Sequence, residues 1–239
     1  MHPISFDEII SLRTAKQNFS DCYLVSSINA LTRTENGRKI LSQNIQRCGE
    51  NFCIRFNDVN GQAETYLVKQ AECDELILMD KYLNPVKLRV PNHPIIKAIE
   101  VAMNKLLKLH PDKKPFLCKI PDCQERFEFN KASVFFKMFT GIRPITINES
   151  GLKMSLKNDE QIAGRIFNEM KDRKGSFVMG TGYHFNPFED LPHCYAVRST
   201  DNGLVELYDS RRQASIARDF DGTIKSMKYI CGYFNDMLG

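Results

Sequence analysis

Gln17-Asn18-Phe19-Ser20-Asp21-Cys22-Tyr23-Leu24-Val25 is the stretch on which the reading of this chain turns, because it sets a cysteine at the mouth of an amphipathic helix. Ser20 and Asp21 are good N-cap residues. The apolar positions Leu24, Ile28 and Leu31 recur at helical spacing toward Thr32, so Cys22 is expected in the first turn. There the free backbone N–H groups and the positive end of the helix dipole favour a thiolate. A free cysteine titrates near pH ~8.5, whereas one at a helix N-terminus with a cationic partner can fall to roughly 3.5 to 7.5 and attack at neutral pH. Gln17, five residues upstream, is placed to donate its side-chain amide to an oxyanion. Any one of the eight cysteines is by default core filling, since free cysteine is among the most buried residue types. A second, distant constellation singles out Cys22.

Near the far end, His193-Cys194-Tyr195-Ala196-Val197 opens an alternating strand, and a second strand, Leu204 to Tyr208, ends at Asp209. A short turn through Asp201-Asn202-Gly203 would pair the two and bring His193 beside Asp209. A histidine oriented by an acidic residue and facing a helix-capped cysteine is the base, orienter and nucleophile of covalent catalysis. His184, in the glycine-rich Gly180-Thr181-Gly182-Tyr183-His184-Phe185, is the competing base. No strand with an acidic end follows it at once, so His193 fits the geometry better and the loop from Gly180 to Pro192 is read as a wall of the substrate groove. His2, His93 and His110 are read as surface or capping residues.

These residues, in this order, resemble the calpain-type branch of the papain-like cysteine proteases. Gln17 and Asp21-Cys22 are similar to the calpain glutamine and Gly-Asp-Cys-Trp-Leu. Asn51-Phe52-Cys53-Ile54-Arg55-Phe56 and Ala63-Glu64-Thr65-Tyr66-Leu67-Val68, joined at Asn60-Gly61, resemble the hairpin after the nucleophile helix. Pro94 to Leu107 looks like the family's next long helix, Phe139-Thr140-Gly141-Ile142 its Phe-Thr-Gly-Gly turn, and Glu160 to Lys174 the helix before the histidine. His193-x-Tyr195-x-Val197 matches His-Ala-Tyr-Ser-Val. The chain departs from the pattern in three places: Gln17 lies one residue nearer the cysteine, Tyr23 stands for the tryptophan, and Asp209 in Asp209-Ser210-Arg211-Arg212 stands for the asparagine of the third triad position. An aspartate holds the imidazole tautomer as an asparagine does and stabilises the imidazolium more strongly.

The resemblance implies an α+β, papain-like fold: a helical lobe over about residues 1–145 carrying Cys22, and a β-rich lobe over about 146–239 carrying His193 and Asp209, with a cleft between them. With 239 residues, 42% of them hydrophobic, the chain can bury the core such a fold needs, as one domain or two tightly joined lobes. Helices are expected at 37–47, 94–107, 131–139 and 159–174, and strands at 51–56, 63–68, 176–179, 194–199 and 204–208; residues 110–124 read as a surface connection.

The implied activity is endopeptidase cleavage of protein or peptide substrates through Cys22, His193 and Asp209, with Gln17 in the oxyanion hole. The same triad also serves deubiquitinases, transglutaminases and glutamine deamidases, and a degenerate module that only binds a partner is the non-enzymatic alternative. Dispersed charge, 33 basic against 29 acidic residues, argues against a dedicated nucleic-acid or membrane binder. No cofactor is expected. Calpains use calcium to align their lobes, but this chain has no obvious matching pair of carboxylate-rich loops. No signal peptide or spanning stretch is visible, which indicates a cytoplasmic protein or one exported without an N-terminal signal, such as a bacterial effector. Oligomeric state is left open.

Two competing motifs are set aside. The cysteines are expected to be reduced, although Cys48 with Cys53 and Cys118 with Cys123 share a spacing from which a four-thiolate zinc site can be imagined. Asp219-Phe220-Asp221-Gly222-Thr223 looks like the nucleophile loop of haloacid-dehalogenase-type phosphatases, but too little chain follows it to supply that site, and a solvated turn is expected instead.

Overall fold

The computed structural model describes residues 1–16, 22–57, 62–74, 77–79, 85–87, 93–110, 132–148, 162–172, 174–181, 193–201, 204–219, 223 and 227–238. They form an α+β structure with two antiparallel sheets and several helices. Its centre is helix α2, Cys22–Leu31, in which every residue from Tyr23 onward is buried. A helix buried all round belongs in the interior. α2 packs on one side against strands β8 (Ser176–Thr181) and β9 (Cys194–Asp201), and on another against the helix Ala132–Thr140.

The smaller sheet runs β1 (His2–Pro3), β2 (Ile45–Cys48), β3 (Asn51–Asn57), β4 (Ala63–Val68), all antiparallel. Between β1 and β2 lie α1, Phe6–Ser11, opened by a capping box between Ser5 and Glu8, then α2, and α3, Glu35–Asn44, capped by Thr34. The helix expected at 37–47 therefore starts earlier and stops at Asn44, and Ile45 turns extended to enter β2. The short hairpin between β2 and β3 turns at Gly49, whose φ of 66° is the left-handed region, and Cys48 is bonded to Cys53 in a disulfide. This corrects the expectation that the cysteines are all reduced, and it removes two of the four ligands imagined for zinc. Cys118 and Cys123 lie outside the described residues.

A short helix α4, Gln70–Asp74, and a two-stranded ribbon of β5 (Ile77–Met79) and β6 (Pro85–Lys87) follow. The long helix α5, Pro94–Leu109, has proline in its first turn, and His93 caps it by accepting from the Ile95 N–H. The helix Ala132–Thr140, α6, ends at Gly141 with φ of 76°. Helix α7, Ile162–Lys171, precedes β8.

The larger sheet has the order β11-β10-β9-β8-β12-β7, every neighbour antiparallel, with β7 at Ile145–Asn148, β10 at Leu204–Asp209, β11 at Ala214–Asp219 and β12 at Met227–Tyr233. Its two faces carry different cores. Val178, Cys194, Ala196, Tyr208 and Cys231 join α2 and the smaller sheet in one cluster that runs from Ile4 to Leu238. Met179, Tyr195, Val197, Leu207 and Ile230 pack with Ile166 and Met170 of α7 in the other. The period of two along β9 thus divides its side chains between the α2 face and the α7 face. Among the described residues no helix is long and apolar enough to cross a membrane. Asp219 of the set-aside phosphatase motif is the last residue of the edge strand β11 in this all-antiparallel sheet, and Asp221 lies outside the described residues.

Candidate active site

Cys22 begins α2 and is half-buried, whereas His193 immediately precedes β9 and is 6% exposed, and Asp209 ends β10 with no exposure at all. The fold brings these three together. His193 Nε2 lies 3.1 Å from Asp209 Oδ1, and the Cys22 thiol is near enough to the same histidine to raise its pKa. With Nε2 committed to the carboxylate, Nδ1 is the ring nitrogen left for the sulfur.

Each member is held by its surroundings. The backbone of His193 is clasped to the end of β8: Thr181 N donates to its carbonyl at 2.9 Å, and its own N–H donates to Thr181 Oγ1 at 3.3 Å. Its ring meets Tyr195 edge-on at 4.7 Å between centroids. Asp209 Oδ1 also accepts from the backbone N–H groups of Arg211 at 2.9 Å and Arg212 at 3.2 Å, so the carboxylate organises the turn that follows β10. Arg212 Nε stands 3.8 Å from Asp209 Oδ2. On α2, Ser26 lies one turn after Cys22 and donates its hydroxyl to the Cys194 carbonyl at 2.8 Å, which fixes the helix against the start of β9.

A β-bulge sets the relation of histidine and acid. Glu206 pairs with Ser199 but Leu207 pairs with Val197, so Arg198 is the extra residue on β9. Beyond the bulge Leu207 shares the α7 face with Val197, and the next alternate residue, Asp209, follows on that side, level with Tyr195 and beside His193. Without the extra residue Asp209 would fall on the opposite face.

The electrostatics depart from the expectation of a helix-lowered thiol. The Cys22 pKa is pushed well up, first by the neighbouring Cys194 thiol and then by burial, and the pull of His193 in the other direction is too weak to reverse this. Burial opposes a charge on His193, but the hydrogen bonds to Asp209 and to Cys22 outweigh it and raise its pKa to about 9. Asp209 is lowered: burial acts against its charge, and the bonds from His193, Arg212 and Arg211 prevail. The resting set at neutral pH is therefore carboxylate, imidazolium and thiol.

Gln17 and His184 lie outside the described residues. Two residues missed in the sequence stand at the site. Cys194 raises the pKa of the Cys22 thiol, and its Sγ is 3.1 Å from the Tyr229 hydroxyl. The signal for Cys194 was its place directly after His193, which alternation turns toward α2. For Tyr229, on β12, the sequence held no comparable signal. Among the described residues no group of three His, Cys, Asp or Glu side chains is arranged to hold a metal ion. No protein-family profile and no curated protein sequence matches the chain.

Proposed function

We propose that the chain is a cysteine peptidase of papain-like fold, similar to the calpain branch, that cuts peptide bonds within protein substrates. The convergence of Cys22, His193 and Asp209, drawn from a helix start and two strand ends, carries this reading. Loss of one proton from the Cys22–His193 pair leaves neutral imidazole beside the thiol, and His193 Nδ1 takes the thiol proton as the attack begins. Cys22 Sγ attacks the carbonyl carbon, and the Cys22 N–H with the Gln17 amide holds the oxyanion. His193 gives its Nδ1 proton to the departing amine, then takes a proton from the water that attacks the thioester. The carboxylate of the cleaved substrate leaves and the thiol is restored. Asp209 fixes the ring throughout and stabilises its charged form.

A labelled peptide library incubated with the wild type and with Cys22→Ala tests this. Cleavage should fall by at least about a thousandfold in the variant, as it does when a nucleophile is removed from a triad. Release of ubiquitin from an isopeptide reporter without cleavage of the library would move the activity to the deubiquitinases. If Cys22 fails to react with a peptide electrophile even at alkaline pH, a binding module is the better description.

None of these steps uses a metal. Hydrolysis should therefore persist in an excess of chelator, and activity lost on chelation and regained with calcium would place an ion in the assembly of the site.

A further inference from the structure

We propose that Arg198, the extra residue of the β9 bulge, is a positioning residue of the Cys22–His193–Asp209 site, tying the acid-bearing end of β10 to the segment that leads into the nucleophile helix. Its half-buried guanidinium lies over the Tyr208 ring, 4.0 Å from the centroid, and Tyr208 directly precedes Asp209. Nη1 donates to Ser215 Oγ at 3.0 Å, and Ser215 is the β11 residue paired with Tyr208. Nη1 also stands 4.0 Å from Glu206 Oε1 on β10. In the other direction Nη2 donates to the Arg13 carbonyl at 3.3 Å, in the 3-10 helix Leu12–Thr14 that precedes Cys22 in the chain. One side chain thus joins β9, β10, β11 and the approach to α2. An unpaired bulge residue can be re-aimed in this way, out of the regular ladder and across its neighbours.

The acid needs such a tie. The ladder between β10 and β9 stops at Tyr208 and Ala196, one residue short of Asp209, whose own pairing is with Ala214 of β11. The distance from Asp209 to His193 therefore depends on how firmly the end of β10 and the start of β11 are held. A second bond runs beside the first. Gln213, which has a left-handed φ of 53° in the turn after Asp209, donates its Nε2 to the Thr14 carbonyl at 2.9 Å. Both ties act through Asp209 rather than on the reacting atoms. A flat fork that stacks on an aromatic face while donating in two directions suits arginine; lysine brings the charge without that geometry. The effect on turnover rests on the peptidase reading, whereas the effect on the His193–Asp209 pair does not.

The test compares the wild type with Arg198→Ala, Arg198→Lys and Gln213→Ala, following the His193 titration by NMR in the substrate-free protein and kcat and KM on a cleaved peptide. In Arg198→Ala a loosened carboxylate should let the His193 pKa fall from about 9 toward 6.5, and kcat should drop roughly 10- to 100-fold with KM within about twofold. Arg198→Lys keeps the charge and should still shift the titration the same way, which separates geometry from charge. Gln213→Ala leaves Arg198 whole and should give a smaller shift of the same sign. If neither arginine variant folds, Gln213→Ala decides, and a wild-type titration in it overturns the inference. A wild-type titration in folded Arg198→Ala, or full recovery in Arg198→Lys, also overturns it, and in a protein that cleaves peptides leaves the peptidase reading standing. A lowered His193 pKa in the variants of a protein that cleaves nothing would uphold the tie and sink the peptidase reading.

Discussion

Asp209 does two jobs with one oxygen. Its Oδ1 receives the imidazole Nε2 and two backbone N–H groups, so its loss strands the turn after β10 as well as the base. Asp209→Ala should lower kcat/KM by orders of magnitude and cost roughly 1–3 kcal/mol of stability for the donors left bare. Asp209→Asn keeps an acceptor and should cost much less in both. It gives up the charge that holds the imidazolium, so the His193 pKa should drop toward its ordinary 6.5. Kinetics and thermal melts on both variants, with an NMR titration of the histidine, measure each effect separately. Full activity in the alanine variant would take Asp209 out of the triad. At this scale the sequence showed the triad candidates because each sits at a readable boundary, a helix start or a strand end. It could not show Cys194 as their neighbour, because that contact exists only once α2 lies across the sheet.

Among the elements, the ones missed in the sequence are those whose pattern tertiary packing overrides. β12 is a mostly buried strand between β8 and β7, so it reads as an apolar run with a lysine and a glycine rather than as an alternation. β11 is an exposed edge with little apolar content. β2 was absorbed into the preceding helix because Ile45 continues the spacing from Leu41; the chain breaks at Asn44, whose amide donates to the Phe139 carbonyl of α6. The bulge at Arg198 left no mark in the sequence, yet it decides which face Asp209 takes. Gly232 in β12 shows how tight the packing is. A Cβ there would stand 2.0 Å from the Ser176 carbonyl oxygen and 2.6 Å from a Phe177 ring carbon, and one of those contacts is backbone. Gly232→Ala should therefore destabilise the protein by about 1–3 kcal/mol or more, with the loss read in a denaturant melt. An unchanged midpoint would mean that β8 and β12 can slide apart at no cost.

Taken over the whole molecule, the buried charges set stability and activity against each other as pH rises. His193 titrates near 9 in the fold and near 6.5 when free, so its stabilising contribution is complete below about pH 6.5 and lost as pH climbs through 9. Cys22 adds to that loss, since its thiol is held protonated in the fold while the unfolded chain ionises from its ordinary 9.0. Asp209 acts at the other end: its lowered pKa gives stability above 3.8 that disappears as pH falls through the folded value. Melting temperature should therefore be highest between roughly pH 4 and 6.5 and fall on the alkaline side. The proposed catalysis wants the reverse. Below about 9 His193 is protonated and cannot take the Cys22 proton, so the proposed attack begins only once the imidazole is free, and kcat/KM and the rate of Cys22 alkylation should climb from pH 6 toward 9. Asp209→Asn should move that rise to lower pH while lowering its plateau. Rate profiles and thermal melts over pH 5 to 10 test both limbs together. A Cys22 alkylation rate already at its plateau at pH 6 would show that the imidazolium, rather than Cys194 and burial, governs the thiol.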